Sequence, residues 1–236
     1  DSRDRGAGAL IGHASIFRTA EDSFRLAGRR IDLTLERKEL TYVVGRDSAA
    51  LTGRDLDLDA GTIAIDLEAK KVVQTLAWGA DSARPVARAD EYEVRSDSLA
   101  VDTPGERIRE LRAFGRAWVG FRPDTAQGER NWLQGDRIVG EFADSGAGSS
   151  KAALRRLEAN GSAKSFYRAT PRGAPEGRPS INYSRADRIQ LFLTGTDSLK
   201  VERVEMHGKV DGVQLEPTVV RPDTARRDTT RVRRPR

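Results

Sequence analysis

The chain has 236 residues, 37% hydrophobic and 33% charged, with a formal net charge of +5 and no cysteine. Without cysteine there is no disulfide framework, no thiolate nucleophile and no thiolate metal site, and no apolar run approaches the roughly 18–20 residues that span a bilayer as a helix. The positive charge belongs to the end of the chain. From Pro217 to Arg236 there are seven Arg and two Asp, a net of +5, so the residues before Pro217 are neutral overall, which removes the electrostatic attraction that dominates nucleic-acid binding. The length fits one large all-β domain or two small ones. The chain begins on Asp1 without Met and without a leader-like run, as a processed N-terminus would, which leaves export open.

In chain order, the elements read as strands marked by a recurring glycine. Gly12-His13-Ala14-Ser15-Ile16-Phe17 comes first. Ile31, Leu33 and Leu35 then alternate with polar residues, the period-2 pattern of a strand with one buried face. Tyr42-Val43-Val44 precedes Gly45; Leu56 and Leu58, then Ile63, Ile65 and Leu67, alternate across the turn signal Asp59-Ala60-Gly61; Leu76-Ala77-Trp78 precedes Gly79. Asp97-Ser98-Leu99-Ala100-Val101 leads through Thr103-Pro104-Gly105 to Leu111-Arg112-Ala113-Phe114-Gly115-Arg116-Ala117-Trp118-Val119. Asp136-Arg137-Ile138 runs on to Phe142, and Leu157-Glu158-Ala159-Asn160-Gly161-Ser162-Ala163 repeats the glycine phrase. Asp187-Arg188-Ile189-Gln190-Leu191 and Val204-Glu205-Met206-His207-Gly208-Lys209-Val210 form the last pair, followed by Val213-Gln214-Leu215.

The glycines at 12, 45, 79, 115, 161 and 208 recur every 33 to 47 residues, so one strand–turn–strand unit is used several times. An acidic residue two positions before an apolar one precedes each later glycine (Asp97, Asp136, Asp187). Asp144–Ser150 and Thr170–Ser180, rich in Gly, Ser and Pro, lengthen the last two units. Glu106–Phe114 and Lys151–Asn160 are made of good helix formers, each followed by a glycine in a C-cap position. The third copy, Lys200–Gly208, is β-branched, and one repeated unit has one structure, so strand is expected in all three. Glycine inside a strand marks a bend or a close backbone approach.

Gly135-Asp136-Arg137-Ile138, the Leu157–Ala159–Gly161–Ala163 phrase, Ala186-Asp187-Arg188-Ile189 and Val204–Gly208–Val210 together resemble the OstA-like family, the LptA-type lipopolysaccharide-transport and organic-solvent-tolerance proteins of bacterial envelopes. The resemblance covers roughly residues 10–216. It implies an all-β, V-shaped β-jellyroll of repeated antiparallel strands over residues 1–216, while the charge distribution marks residues 217–236 as an Arg/Pro-rich extended tail outside it. It further implies a non-enzymatic protein without cofactor, an extracytoplasmic, periplasmic and membrane-associated location, an apolar interior for lipid acyl chains, and edge-to-edge pairing with envelope or membrane proteins. The insertion-rich C-terminal half and the Arg-rich tail depart from the family pattern.

Strand parity distributes the side chains. Leu111, Val119, Phe121, Ile138, Phe142, Leu157, Ile189 and Leu191 fall inward and are the candidate lipid-groove residues. Trp118 and Phe166 fall outward and, with Arg226, Arg227, Arg231, Arg233 and Arg234 of the tail, are the candidate partner contacts. No catalytic set is legible. His13 and His207 both flank repeat glycines and lack convergent partners. Gly146-Ala147-Gly148-Ser149-Ser150 lacks the nucleophile elbow and the phosphate-loop lysine. Asp55–Gly61 has Ala60 where a calcium loop needs Gly and Asp66 where it needs Glu, so its Asp residues read as a solvated strand face. Two functions fit: a lipid-handling or bridging envelope protein, or an accessory subunit stabilising a larger membrane-protein complex through its sheet surface and basic tail.

Overall fold

The computed structural model describes residues 5–18, 24–121, 130–144, 152–169, 179–195 and 199–216. The strands are β1 (Arg5–Arg18), β2 (Phe24–Glu36), β3 (Glu39–Thr52), β4 (Asp57–Glu68), β5 (Lys71–Trp78), β6 (Val86–Arg88) and β7 (Tyr92–Arg95). They continue as β8 (Ser98–Asp102), β9 (Glu110–Phe121), β10 (Trp132–Asp144), β11 (Ala152–Ala169), β12 (Ser180–Thr194), β13 (Lys200–His207) and β14 (Asp211–Leu215). Two 3-10 turns, Asp81–Ala83 and Pro104–Glu106, are the only helical segments among the described residues. All the strands belong to one antiparallel sheet. Neither helix-like stretch forms an α-helix among the described residues: the first is strand from Glu110 onward, in β9, and the second from Ala152 onward, in β11, because burial of an alternating apolar face outweighs local helix propensity.

The long strands share one line of breaks, which forms a crease. Gly12–His13 interrupt the β1–β2 ladder, Asp47–Ser48 the β3–β4 ladder, Gly115–Arg116 the β9–β10 ladder and Gly161–Ser162 the β11–β12 ladder. The breaks at Asp47–Ser48, Gly115–Arg116 and Gly161–Ser162 are pairs of left-handed residues, for example Gly161 at φ 74° and Ser162 at φ 48°. Gly208 (φ 88°) separates β13 from β14, which are the two halves of one edge line, both paired to β12.

Three sequence expectations shift here. On β3 the crease residues are Asp47 and Ser48, not Gly45; Asp reaches left-handed backbone through its short polar side chain, and Gly45 instead gives room to the Leu26 side chain. Asp59-Ala60-Gly61 is no turn but the crease point of one continuous strand, β4, with Gly61 opposite Asp47–Ser48. Gly79 marks the place where the chain leaves the crease, so β5 and β8 occupy one side of it while β6 and β7 occupy the other.

The crease divides the sheet into two wings. The first wing runs β1-β2-β3-β4-β5-β8-β9-β10-β11-β12-β13. The second replaces β5 and β8 by β6 and β7 and ends on β14. Their inner faces share one buried apolar cluster, to which Ile63, Ile138 and Ile189 contribute from the first wing and Leu58, Val119 and Leu133 from the second. The result is an all-β jellyroll of repeated antiparallel strands, the architecture that the family resemblance implies.

Register explains both recurrent phrases. One inner row of the first wing reads Leu10, Ile31, Gly45, Ile63, Ala77, Leu99, Ala113, Ile138, Ala159, Ile189, Met206 from edge to edge. From Ile31 to Ile189, large and small residues alternate, so each Ile or Leu packs over a Gly or Ala on the strands beside it, the interdigitation that fills a thin core. The Ala or Met two residues before a crease glycine and the Leu or Ile two residues after an aspartate are thus the two partners of one packing contact.

Candidate functional site

No convergent set of titratable groups stands out among the described residues. Among the described residues no group of three or more His, Cys, Asp or Glu side chains could hold a metal ion, and His13 and His207 lie on the opposite edge strands β1 and β13. The burial-shifted Tyr92, whose hydroxyl is pushed well above its usual range by desolvation and by the nearby Asp55, packs its ring 6.2 Å from that of Phe142. Tyr92 belongs to the second wing and Phe142 to the first, so this contact joins the wings across the space between them.

That space is the candidate site. At its centre it is closed. Leu111, Val119, Ile138, Leu157 and Ile189 are at most 2% exposed and belong to the shared core, and Phe142 is half-buried against Tyr92. These groove candidates are therefore packing residues in this structure, where the wings touch. The groove opens on either side of the closed centre. Toward the N-terminal edge an apolar cavity of about 110 Å³ lies between Phe24, Leu51 and Leu58 of the second wing and Ile65, Val72 and Val101 of the first. Arg54 and Asp55 also line it. Its rim widens into an open space of about 470 Å³ bordered by Asp57, Arg88, Asp90 and Glu91. Phe142 also borders this open space. Toward the C-terminal edge a cavity of about 240 Å³ is lined by two further groove candidates, Phe121 and Leu191, together with Val204, Met206, Ser165 and Ser184.

The sequence reading missed Leu51, Val72 and Met206. Met206 was within reach, because it sits two residues before Gly208, as Ala113 and Ala159 sit before Gly115 and Gly161. Leu51 and Val72 lie in strands whose crease marker is not glycine or whose register slips, so no motif points at them.

The outer faces carry the other candidates. Trp118 points outward as parity requires, but it is half-buried: its ring lies over Gly120, whose missing side chain makes the room, and the Arg95 guanidinium sits 5.3 Å from it. Phe166 stacks on Trp132 with ring centroids 6.1 Å apart, and Tyr183 meets Trp132 edge-on at 6.2 Å. With Val213 on β14 they form a cross-strand row, Gly120, Trp132, Phe166, Tyr183, Val213, that reaches the open edge. Trp78, which the sequence reading left aside, is the more exposed tryptophan at 41%. Arg226, Arg227, Arg231, Arg233 and Arg234 lie outside the described residues.

No known protein family and no curated protein matches the chain. The fold is similar to that of LptH from Pseudomonas aeruginosa. LptH is described as the LptA-homologous periplasmic component of a lipopolysaccharide transport device. The match spans 70% of this chain and 96% of LptH, at 13% sequence identity and a TM-score of 0.42. Neither ligand nor partner passes from LptH to this chain at that distance. Among the described residues no helix is long and apolar enough to cross a membrane, which says nothing of strands.

Proposed function

We propose that the chain is a non-enzymatic, extracytoplasmic envelope protein that holds acyl chains between its wings and joins neighbours through its open sheet edges. One observation carries this reading. The inner face of the first wing is an unbroken apolar row from Leu10 on one edge strand to Met206 on the other, and the space above it opens on both sides of the closed centre. Buried apolar area of that kind favours a hydrocarbon chain by about 0.8 kcal/mol per methylene taken from water. Among the described residues β1 at one end and β13 with β14 at the other are the edge strands, and edges of this kind are the surfaces through which sheets extend.

The test is lipid recovery. The full chain, produced with export to the envelope of a bacterial host and purified without detergent, is extracted and analysed by mass spectrometry. Acylated lipid is expected at near-stoichiometric amounts. Leu51→Trp with Val72→Trp, which fills the N-terminal cavity, is expected to lower the yield several-fold. Absence of acylated lipid, or a yield untouched by filling the cavity, contradicts the proposal.

A second reading is favoured by the outer row of Trp132, Phe166 and Tyr183, which leads to the exposed Val213 beside the start of the Arg-rich tail. In it the chain is an accessory subunit that stabilises a membrane-protein complex, with aromatic rings and tail arginines as contacts. Stable association with membrane proteins that is lost on removing residues 217–236, with no lipid recovered, is the outcome that selects it.

A further inference from the structure

The two walls of the C-terminal cavity differ in chemistry. From the first wing come Leu191, Val204 and Met206. From the second come the polar side chains of Ser165, Asn182 and Ser184 beside the aromatic rings of Phe121 and Tyr167. The second wing is not polar throughout. Its inner row reads Ile16, Leu26, Leu51, Leu58, Ala87, Val94, Val119, Leu133 and only then Ser165, Ser184 and Gly212. The change from methyl to hydroxyl falls where the cavity opens.

Ser165 is nearly buried, and Asn182 and Ser184 are half-buried. Among the described residues no side-chain hydrogen bond joins these three to one another or to their neighbours. None of their polar atoms is sealed from solvent, so they offer hydrogen bonds to a group that enters the cavity and displaces water. No charged side chain lines the cavity, so an ionic group entering it would lose water without gaining a counter-charge. At about 240 Å³ the space exceeds the share of a single water, about 30 Å³, several times over.

We infer that this end of the groove receives the uncharged, hydroxyl-bearing headgroup of an amphiphile, a glycosyl or polyol lipid, with its sugar or polyol against Ser165, Asn182 and Ser184 and its chain over Leu191 and Met206. The inference rests on the acyl-chain reading of the groove and adds the headgroup class to it.

Isothermal titration calorimetry of the full chain with three decyl amphiphiles, each below its micelle concentration, tests it. The probes are decyl maltoside, decyl phosphate and decyltrimethylammonium. The maltoside is expected to bind about tenfold more tightly than either ion, the discrimination that one or two neutral hydrogen bonds supply. Asn182→Leu with Ser184→Ala is expected to abolish that preference while decyl-chain binding persists. An ionic probe that binds as tightly as the maltoside, or a preference that survives the double substitution, overturns the headgroup inference and leaves the acyl-chain reading standing. Failure of all three probes to bind overturns both.

Discussion

Asp136 stands between two crease points. Across one ladder it faces Gly115–Arg116 of β9, and across the other its carboxylate occupies the space where a side chain on Gly161 would project. Asp97 and Asp187 hold the same relation to Gly115 and Gly208, and the Lys209 backbone N–H donates to the Asp187 carboxylate at 3.2 Å. The joint therefore requires glycine twice over, for its left-handed backbone and for the room the aspartate takes. Gly161→Ala is expected to cost more than the ~1 kcal/mol of left-handed strain alone. Gly105, also left-handed (φ 67°) but with open space around it, is the control that pays only the strain. Denaturant unfolding checks this; equal losses for Gly161→Ala and Gly105→Ala would refute the joint.

Asp97 also predicts an acid response. Hydrogen bonds from Arg116, with Arg84 nearby at 2.8 Å, hold the Asp97 carboxyl below its usual range. A depressed folded pKa contributes stability above the ordinary value near 3.9, and that contribution is lost as pH falls below it toward the folded value. Because the pair is well exposed, the effect is small. Carboxyl-resolved NMR titration is expected to show Asp97 titrating below a typical aspartate and moving part of the way back toward it in Arg116→Ala, with Arg84 still in place. Both halves of this joint were visible in the sequence as repeated phrases. Their contact was not, because Asp and Gly are 18 to 25 residues apart and the pairing that joins them is a tertiary event.

At the scale of the strand, β9 and β11 show how far local propensity can mislead. Lys151–Asn160 has the composition of a helix, yet its Leu154, Leu157 and Ala159 are buried in a sheet. The repeat decided correctly because three copies must share one backbone, while a single copy would have been read as a helix with a glycine cap. A peptide of residues 151–162 is expected to show more helix than strand in trifluoroethanol, whereas the intact chain shows a strand spectrum. The alternating row makes a sharper demand. Ile138 packs between Ala113 and Ala159 with no exposed surface, so Ile138→Ala is expected to cost 2–5 kcal/mol by leaving a cavity. Ala159→Leu is expected to cost about 1–3 kcal/mol by overpacking. If Ala159→Leu proves neutral in urea unfolding, the row is not tightly interdigitated.

For the whole molecule, inward parity identified the apolar face but not where that face is open. Alternation reports which side of a strand is buried; whether a second wing closes over it depends on strand lengths and loops far away. Hence Leu157 and Ile189 lie sealed in the core, while the open space is lined by Leu51, Val72, Val204 and Met206. The edges are a separate matter. On β14, an edge strand among the described residues, Val213 and Leu215 are 59% and 57% exposed on the outer face. Val213→Lys with Leu215→Lys blunts that edge and is expected to weaken concentration-dependent association in sedimentation velocity while leaving lipid recovery unchanged.

The measurement that bears most directly on the central claim is site-resolved photo-crosslinking. A photoreactive residue is placed in turn at Leu51, at Met206 and at the outward-facing Trp78, and the chain is irradiated in the envelope of a living bacterial host. The groove account predicts acyl-chain adducts at Leu51 and Met206 and little or none at Trp78. Adducts equally abundant at Trp78, or none at either groove position, would contradict it.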